Sequence, residues 1–287
     1  MRGRGVVFGL IVIGVFLAGC QKEEEALTAA HFKPTPKSIV LTTAIDEVSG
    51  IADSKINPGH LWVHEDSGNP AAIYLLNHNG ELVKTIKLDG TVNRDWEDIV
   101  LAGNYLYIAD TGDNNRKYAT STIYKFKEPT INTDVVQQIE TIRFRYPDGP
   151  HDTEALLVDP VSEAIYLITK SDKPAQIYKL EQQNQQHGKL QMAELVGTLN
   201  HSNIVSAAMS ENGRSIIIKT YSGLFVYHRE AQQTIADALQ NPYTKLPYKT
   251  EPQGEAVCFS TSGNGYYTLS EKAFASTTSL HYYSFSF

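Results

Sequence analysis

The chain has 287 residues, of which 41% are hydrophobic and 20% charged, a balance that excludes a disordered or fibrous protein. Lys and Arg total 25 against 32 Asp and Glu, for a net charge of −7, and no basic block occurs. Nucleic acid is therefore not expected as a partner, because phosphate binding needs clustered cations.

Residues 1–19 read as an address. Arg2 and Arg4 precede an apolar run from Val6 to Leu17 that is too short to span a bilayer comfortably. Leu17-Ala18-Gly19-Cys20 resembles the bacterial lipoprotein box. That resemblance implies cleavage before Cys20 and acylation of its thiol and new N-terminus. Gln21, a residue other than Asp, implies sorting to the outer membrane, with the domain on its periplasmic face. Residues 20–37 then form the lipidated Cys20 and a solvated tether, with a charge run at Lys22–Glu25 and prolines at 34 and 36. The other cysteine, Cys258, lies in the apolar run Ala256-Val-Cys-Phe259 and reads as a small core residue.

From residue 38 to 287 one pattern recurs. The segments beginning Glu47-Val-Ser-Gly, Asp95-Trp-Glu-Asp, Asp152-Thr-Glu-Ala, Ile204-Val-Ser-Ala and Gln253-Gly-Glu-Ala align Ser49, Glu97, Glu154, Ser206 and Glu255 at intervals of 48, 57, 52 and 49 residues. Each is followed by a second apolar strand, such as Leu106-Tyr-Ile-Ala109, and by a third, such as Ile123-Tyr-Lys-Phe126. A fourth strand is clear in three repeats. The one containing Ile142, Phe144 and Tyr146, alternating with Arg143 and Arg145, has the period of a half-exposed strand. The first two strands of each unit are almost continuously apolar and predict burial on both faces. Residues 231–239 predict a short helix.

Four strands per unit of about 50 residues predict an all-β fold, a single β-propeller of five four-stranded blades. The last repeat ends after its third strand, and the N-terminal strand from Ser38 closes it, hiding an otherwise raw edge. A six-blade count stays open if two irregular units are merged around residues 182–206.

The motifs Asn93-Arg-Asp-Trp-Glu-Asp-Ile99, Asp110-Thr-Gly-Asp-Asn-Asn115, Tyr146-Pro-Asp-Gly149, Asp152-Thr-Glu-Ala-Leu156, Lys219-Thr-Tyr221 and Gly254-Glu-Ala-Val257 resemble a family of secreted bacterial propellers labelled esterase-like or phytase-like. The Asp-x-Glu-Ala-Leu element is also similar to one in the SdiA-regulated lipid-anchored propellers and, locally, in calcium-dependent phytases. The resemblance implies a propeller throughout the mature chain and, on the phytase side, calcium-dependent phosphoesterase activity.

Equivalent positions in a propeller lie on a ring, so Asp95, Glu97, Asp152, Glu154 and Glu255 are expected to converge at one mouth of the channel. Repulsion would raise their pKa values unless a cation neutralises them. An all-oxygen set suits Ca²⁺, with Glu97, Asp152 and Glu154 as expected ligands. Lys170 and Lys219, at the ends of second strands, are expected to hold a small anionic ligand beside the metal. The oxygen-rich Asp110–Asn115 stretch is a candidate cation loop but is favoured as a turn, and His64 and His151 are candidates for acid–base work or metal with the structural reading favoured. Gly-x-Ser-x-Gly, His-Glu-x-x-His, a phosphate-binding glycine loop and a cysteine pair for zinc are all missing from the sequence. With no nucleophile identified, the expected function is a membrane-anchored periplasmic module. It binds a divalent cation with a small anion, or a protein partner, at its channel mouth; the alternative is a calcium-dependent phosphoesterase.

Overall fold

The computed structural model describes residues 31–42, 45–181, 188–273, 275 and 277–285. The expected signal segment, the expected lipidation site Cys20 and the expected tether as far as residue 30 lie outside the described residues.

The chain enters on β1 (Lys37–Val40). Blade one is β2 (Val48–Asp53), β3 (His60–Glu65), β4 (Ala72–Asn77) and β5 (Leu82–Leu88). Blade two is β6 (Trp96–Ala102), β7 (Tyr105–Asp110), β8 (Ser121–Lys127) and, after a short β9 (Val135–Val136), β10 (Ile139–Arg145). Blade three is β11 (Thr153–Val158), β12 (Ile165–Thr169), β13 (Ala175–Leu180) and, after β14 (Gln191–Met192), β15 (Glu194–Leu199). Blade four is β16 (Ile204–Met209), β17 (Ser215–Thr220), β18 (Gly223–His228), a one-turn α1 (Ile235–Ala238) and β19 (Tyr243–Leu246). Blade five is β20 (Ala256–Phe259), β21 (Gly265–Leu269) and β22 (Ser279–Ser284), completed by β1. The five-blade arrangement predicted from the repeat is therefore observed, including the N-terminal closing strand. The short β9 and β14 each pair parallel with the outer strand of the preceding blade, β5 and β10, and cover those edges.

Burial follows the sequence pattern. The innermost strands β2 and β11 are buried along their whole length, as are the second strands β12, β17 and β21. Strand β10 alternates from residue 141 onward, with Ile142 and Phe144 inside. The core is divided into layers between adjacent blades. Trp62 and Trp96 fill the layer between blades one and two, and Ile235, Ala236, Ala238 and Leu239 of the helical turn cap the layer between blades three and four. Cys258 is buried, and burial pushes its thiol well above its ordinary range, so the core reading of that residue holds.

β-Bulges interrupt four inner strands near their starts, at Ser49, Glu97, Glu154 and Val205. The fourth corrects the alignment made from sequence. Val205, and not Ser206, is the counterpart of Glu97 and Glu154. Ser206 sits one residue further on, where the other blades have Gly50, Asp98, Ala155 and Ala256. A one-residue slip turns a side chain to the opposite face of a strand. Ser206 accordingly points to the axis and donates to Asp98 Oδ1 at 3.2 Å.

Asp98 occupies the middle of the channel. It is fully buried and accepts from Ile99 N on its own blade at 3.0 Å, Leu156 N on blade three at 3.0 Å and Ala207 N on blade four at 3.4 Å. One carboxylate thus joins three inner strands. Burial pushes its carboxyl well above the usual range, against the pull of these donors.

Candidate functional site

The inner strands all begin at one end of the channel, here called the upper mouth, and the second strands end there. The bulges at Glu97 and Glu154 aim their side chains into this mouth, as bulges beside functional sites commonly do. Glu97, Asp152 and Glu154 each bring a carboxylate oxygen within 4.8 Å of the others, and all three are buried. Asp66, Asp95 and Glu97 form a second group of the same tightness, so Glu97 belongs to both. Glu255 is buried beside them and accepts from the Tyr221 hydroxyl.

The electrostatics follow from packing these acids together. Burial, then the charge of Glu154, pushes Glu97 well above the carboxylate range. Burial also pushes Glu154 well above it, with Lys170 opposing. Asp152 is raised by burial, with the Asp113 N–H bond opposing. Asp66 is pushed up to about 7 by burial and by Asp95, and Glu271 to about 9 by burial and by Glu255. Two oxygens stand out: Asp152 Oδ2 and Glu154 Oε2 are buried with no hydrogen-bond partner.

Neighbouring groups fix the acids in place. Asp152 Oδ1 accepts from Asp113 N at 2.9 Å. Gly112 passes so close that a Cβ on it would collide with Glu97 Oε1 and the Asp95 carboxylate. Glycine here is a packing requirement, leaving room for two carboxylates against the backbone. Asp110 accepts from Arg94 N and Asp95 N, and Asp113 from Lys117 N and Tyr118 N. The Asp110–Asn115 stretch is therefore a turn whose acids hold backbone, as its composition suggests.

Lys170 reaches the cluster through an ion pair with Glu154 Oε1. Lys219 is arranged differently. It is fully buried, its ammonium donating to Glu251 Oε2 and to the Tyr248 hydroxyl, each at 3.0 Å. Both cations expected to hold an anion are thus engaged with carboxylates of the protein. His64 is fully buried, and burial lowers its pKa to about 4, so it is neutral. His151 lies between Asp172 at 2.9 Å and the Tyr178 hydroxyl at 2.8 Å.

Asp66 and Glu271 lie just beyond the ends of second strands β3 and β21, a position that can be read from the repeat. Glu251 and Asp98 were not singled out. Asp98 had a signal, being the one charged residue at a position that is otherwise Gly, Ala or Ser.

A family model described as SdiA-regulated matches residues 24–273, which takes in blades one to four and blade five as far as β21. The chain belongs to the SdiA-regulated family. No curated protein matches it. For this member of the family, the propeller and its acidic upper mouth are the features from which function must be read.

Proposed function

We propose that this SdiA-regulated protein is a lipid-anchored periplasmic binding module whose upper mouth holds a Ca²⁺ ion through Glu97, Asp152 and Glu154. Asp66, Asp95 and Glu255 supply further negative charge around it. The observation that carries the reading is the pair of buried, unpartnered oxygens, Asp152 Oδ2 and Glu154 Oε2. A buried carboxylate oxygen left without a partner costs free energy even where the other oxygen of the group is engaged, as both are here. A divalent cation removes that penalty and the mutual repulsion together. The donors are all oxygens, the set that Ca²⁺ takes in shells of 6–8. Coordination positions facing the open mouth are left for water, a small anionic ligand or an acidic group on a protein partner. Binding is favoured over phosphoester cleavage because the Lys170 and Lys219 ammonium groups are already paired with Glu154 and Glu251. Anchoring rests on the lipoprotein box ending at Cys20.

Thermal melting of the mature domain with Ca²⁺ and with EDTA tests the site. A ligand at a hundred times its Kd stabilises by about 2.7 kcal/mol. Ca²⁺ is expected to raise Tm in the wild type and to leave the Glu97→Gln/Glu154→Gln double variant unmoved. Equal shifts in both proteins rule the site out. Phosphate release from a panel of phosphate esters in the presence of Ca²⁺ would instead favour the esterase reading.

A further inference from the structure

At the end of the channel opposite the acidic mouth, the hairpin turns of blades four and five are built alike. Ser210-Glu-Asn-Gly213 joins β16 to β17, and Ser260-Thr-Ser-Gly263 joins β20 to β21. In each turn the glycine N–H donates to the serine carbonyl, and the glycine takes a φ of +71° that its lack of a Cβ permits. Hydroxyls stiffen both turns. Ser210 Oγ accepts from Ser215 N at 2.9 Å, and Ser260 Oγ lies 2.9 Å from Ser262 Oγ. The second turn is also braced on blade one, where Asp53 Oδ2 accepts from Thr261 N at 2.8 Å and from its hydroxyl at 2.9 Å. Blades one to three have no Ser-x-x-Gly turn at this place.

The two turns line a cleft of about 640 Å³ between blades four and five, a size common among small-molecule sites. Arg214 and His228 contribute from blade four, and the rings of Phe259 and Phe285 from blade five. Arg214 and His228 already hold a carboxylate: Glu230 places Oε2 3.5 Å from an Arg214 Nη and Oε1 3.2 Å from His228 Nε2. The Glu230 side chain is 67% exposed, and such a surface pair is worth about 1 kcal/mol or less, so a carboxylate from solution can take its place. The acid lining the cleft, Glu211, is paired with Lys55 at 2.8 Å, which leaves it a poor seat for an ammonium group.

We propose that the cleft between blades four and five binds a sugar acid, whose carboxylate replaces that of Glu230 on Arg214 and His228. Each part of such a ligand meets a matching group. A guanidinium holds a carboxylate through charge-assisted hydrogen bonds, stronger than those between neutral groups. Serine hydroxyls both donate and accept, as the hydroxyls of a sugar require. The Phe259 and Phe285 rings offer apolar surface to the carbon face of a sugar ring. The walls are set before the ligand arrives, because both turns are held by their own hydrogen bonds, so little ordering is left to oppose binding. A ligand with an amino group, such as an amino acid, would have to displace Lys55 from Glu211 and is disfavoured. This site stands apart from the Ca²⁺ site at the upper mouth and does not depend on it.

The test is a calorimetric titration of the full chain with digalacturonate, its neutral dimethyl ester and acetate. EDTA is present throughout, so that the acidic mouth holds no metal ion to which a sugar acid could attach. Digalacturonate is expected to bind, with the ester and acetate each weaker by about tenfold or more, the loss of one charge-assisted contact. Arg214→Gln is expected to weaken digalacturonate by about tenfold or more, and Glu230→Gln to tighten it about threefold by removing the competing carboxylate. Both side chains are at the surface, so both variants are expected to fold, which circular dichroism checks. A digalacturonate Kd weaker than about 10 mM overturns the site. Equal affinity for the ester overturns the role of the carboxylate. Unchanged affinity in folded Arg214→Gln, or weaker binding in Glu230→Gln, overturns its placement on Arg214 and His228.

Discussion

Glu154 divides its carboxylate between two surroundings: Oε1 meets the ammonium of Lys170, and Oε2 is buried with no hydrogen-bond partner. Lys170 acts as a tethered cation already seated on one ligand of the proposed Ca²⁺ site. Removing one partner of a buried ion pair strands the other charge. Lys170→Met is expected to lower the stability of the metal-free domain by about 2 kcal/mol, part of the full loss being avoided because Glu154 can take up a proton. It is also expected to tighten Ca²⁺ binding, since the competing ammonium is gone. Melting in EDTA and a calorimetric Ca²⁺ titration read the two effects, and weaker binding in the variant would contradict the site.

The dependence on pH has a definite sign. Asp66 rises from its usual 3.8 to about 7 and Glu271 from 4.5 to about 9, so between those values the folded state holds protons that the unfolded state has released. Stability therefore falls as pH rises through that range. His64 works the other way: its pKa falls from 6.5 to about 4 on burial, so stability falls as pH drops through that interval. The two trends oppose one another below 6.5, and the carboxylates govern from there to about 9. In EDTA, Tm is expected to decline across the upper window. In Ca²⁺ it should decline less, because the metal binds the ionised acids. A Ca²⁺ shift that stays constant from pH 6.5 to 9 would count against carboxylate ligation.

Asp98 ties blades two, three and four together at the axis. Asp98→Ala leaves three backbone N–H groups and the Ser206 hydroxyl without their acceptor at a fully buried position. The expected loss is about 3 kcal/mol, with Asp98→Asn milder because one side-chain oxygen is retained. Urea denaturation measures both, and a loss below about 1 kcal/mol for the alanine variant would show the carboxylate to be dispensable.

Gly112→Ala places a methyl group against Glu97 and Asp95. The backbone conformation tolerates alanine, so the fold is expected to survive while both carboxylates shift. Misplacing metal-site groups commonly weakens binding 10–100-fold, and a loss of at least tenfold in Ca²⁺ affinity is expected by titration. Unchanged affinity would place the ion elsewhere.

The repeat made the fold legible, because a buried inner strand needs an apolar run and each blade supplies one. The convergence of Glu97, Asp152 and Glu154 was legible for the same reason: equal places in successive blades share one radius. The fourth blade misled, since Ser206 looks like a ring residue until the bulge at Val205 shifts the register by one. No residue pattern announces a bulge whose extra residue is an ordinary valine. Lys219 was legible as a second-strand terminus, but not its partner. Glu251 lies in the connection to blade five, and only the packed structure brings it to the ammonium.

The closing strand has a mechanical consequence. Strand β1 is held by a ladder whose hydrogen bonds lie across the strand direction, and its N-terminal end is at the bottom, next to the Phe32–Phe285 bridge. A pull on the N-terminus directed along the strand loads all the rungs together in shear, with the Phe32 ring as a plug, instead of peeling them one at a time. Drag on the protein is then borne by the seam that locks the ring, and the first structure to yield under force would be the ring closure itself.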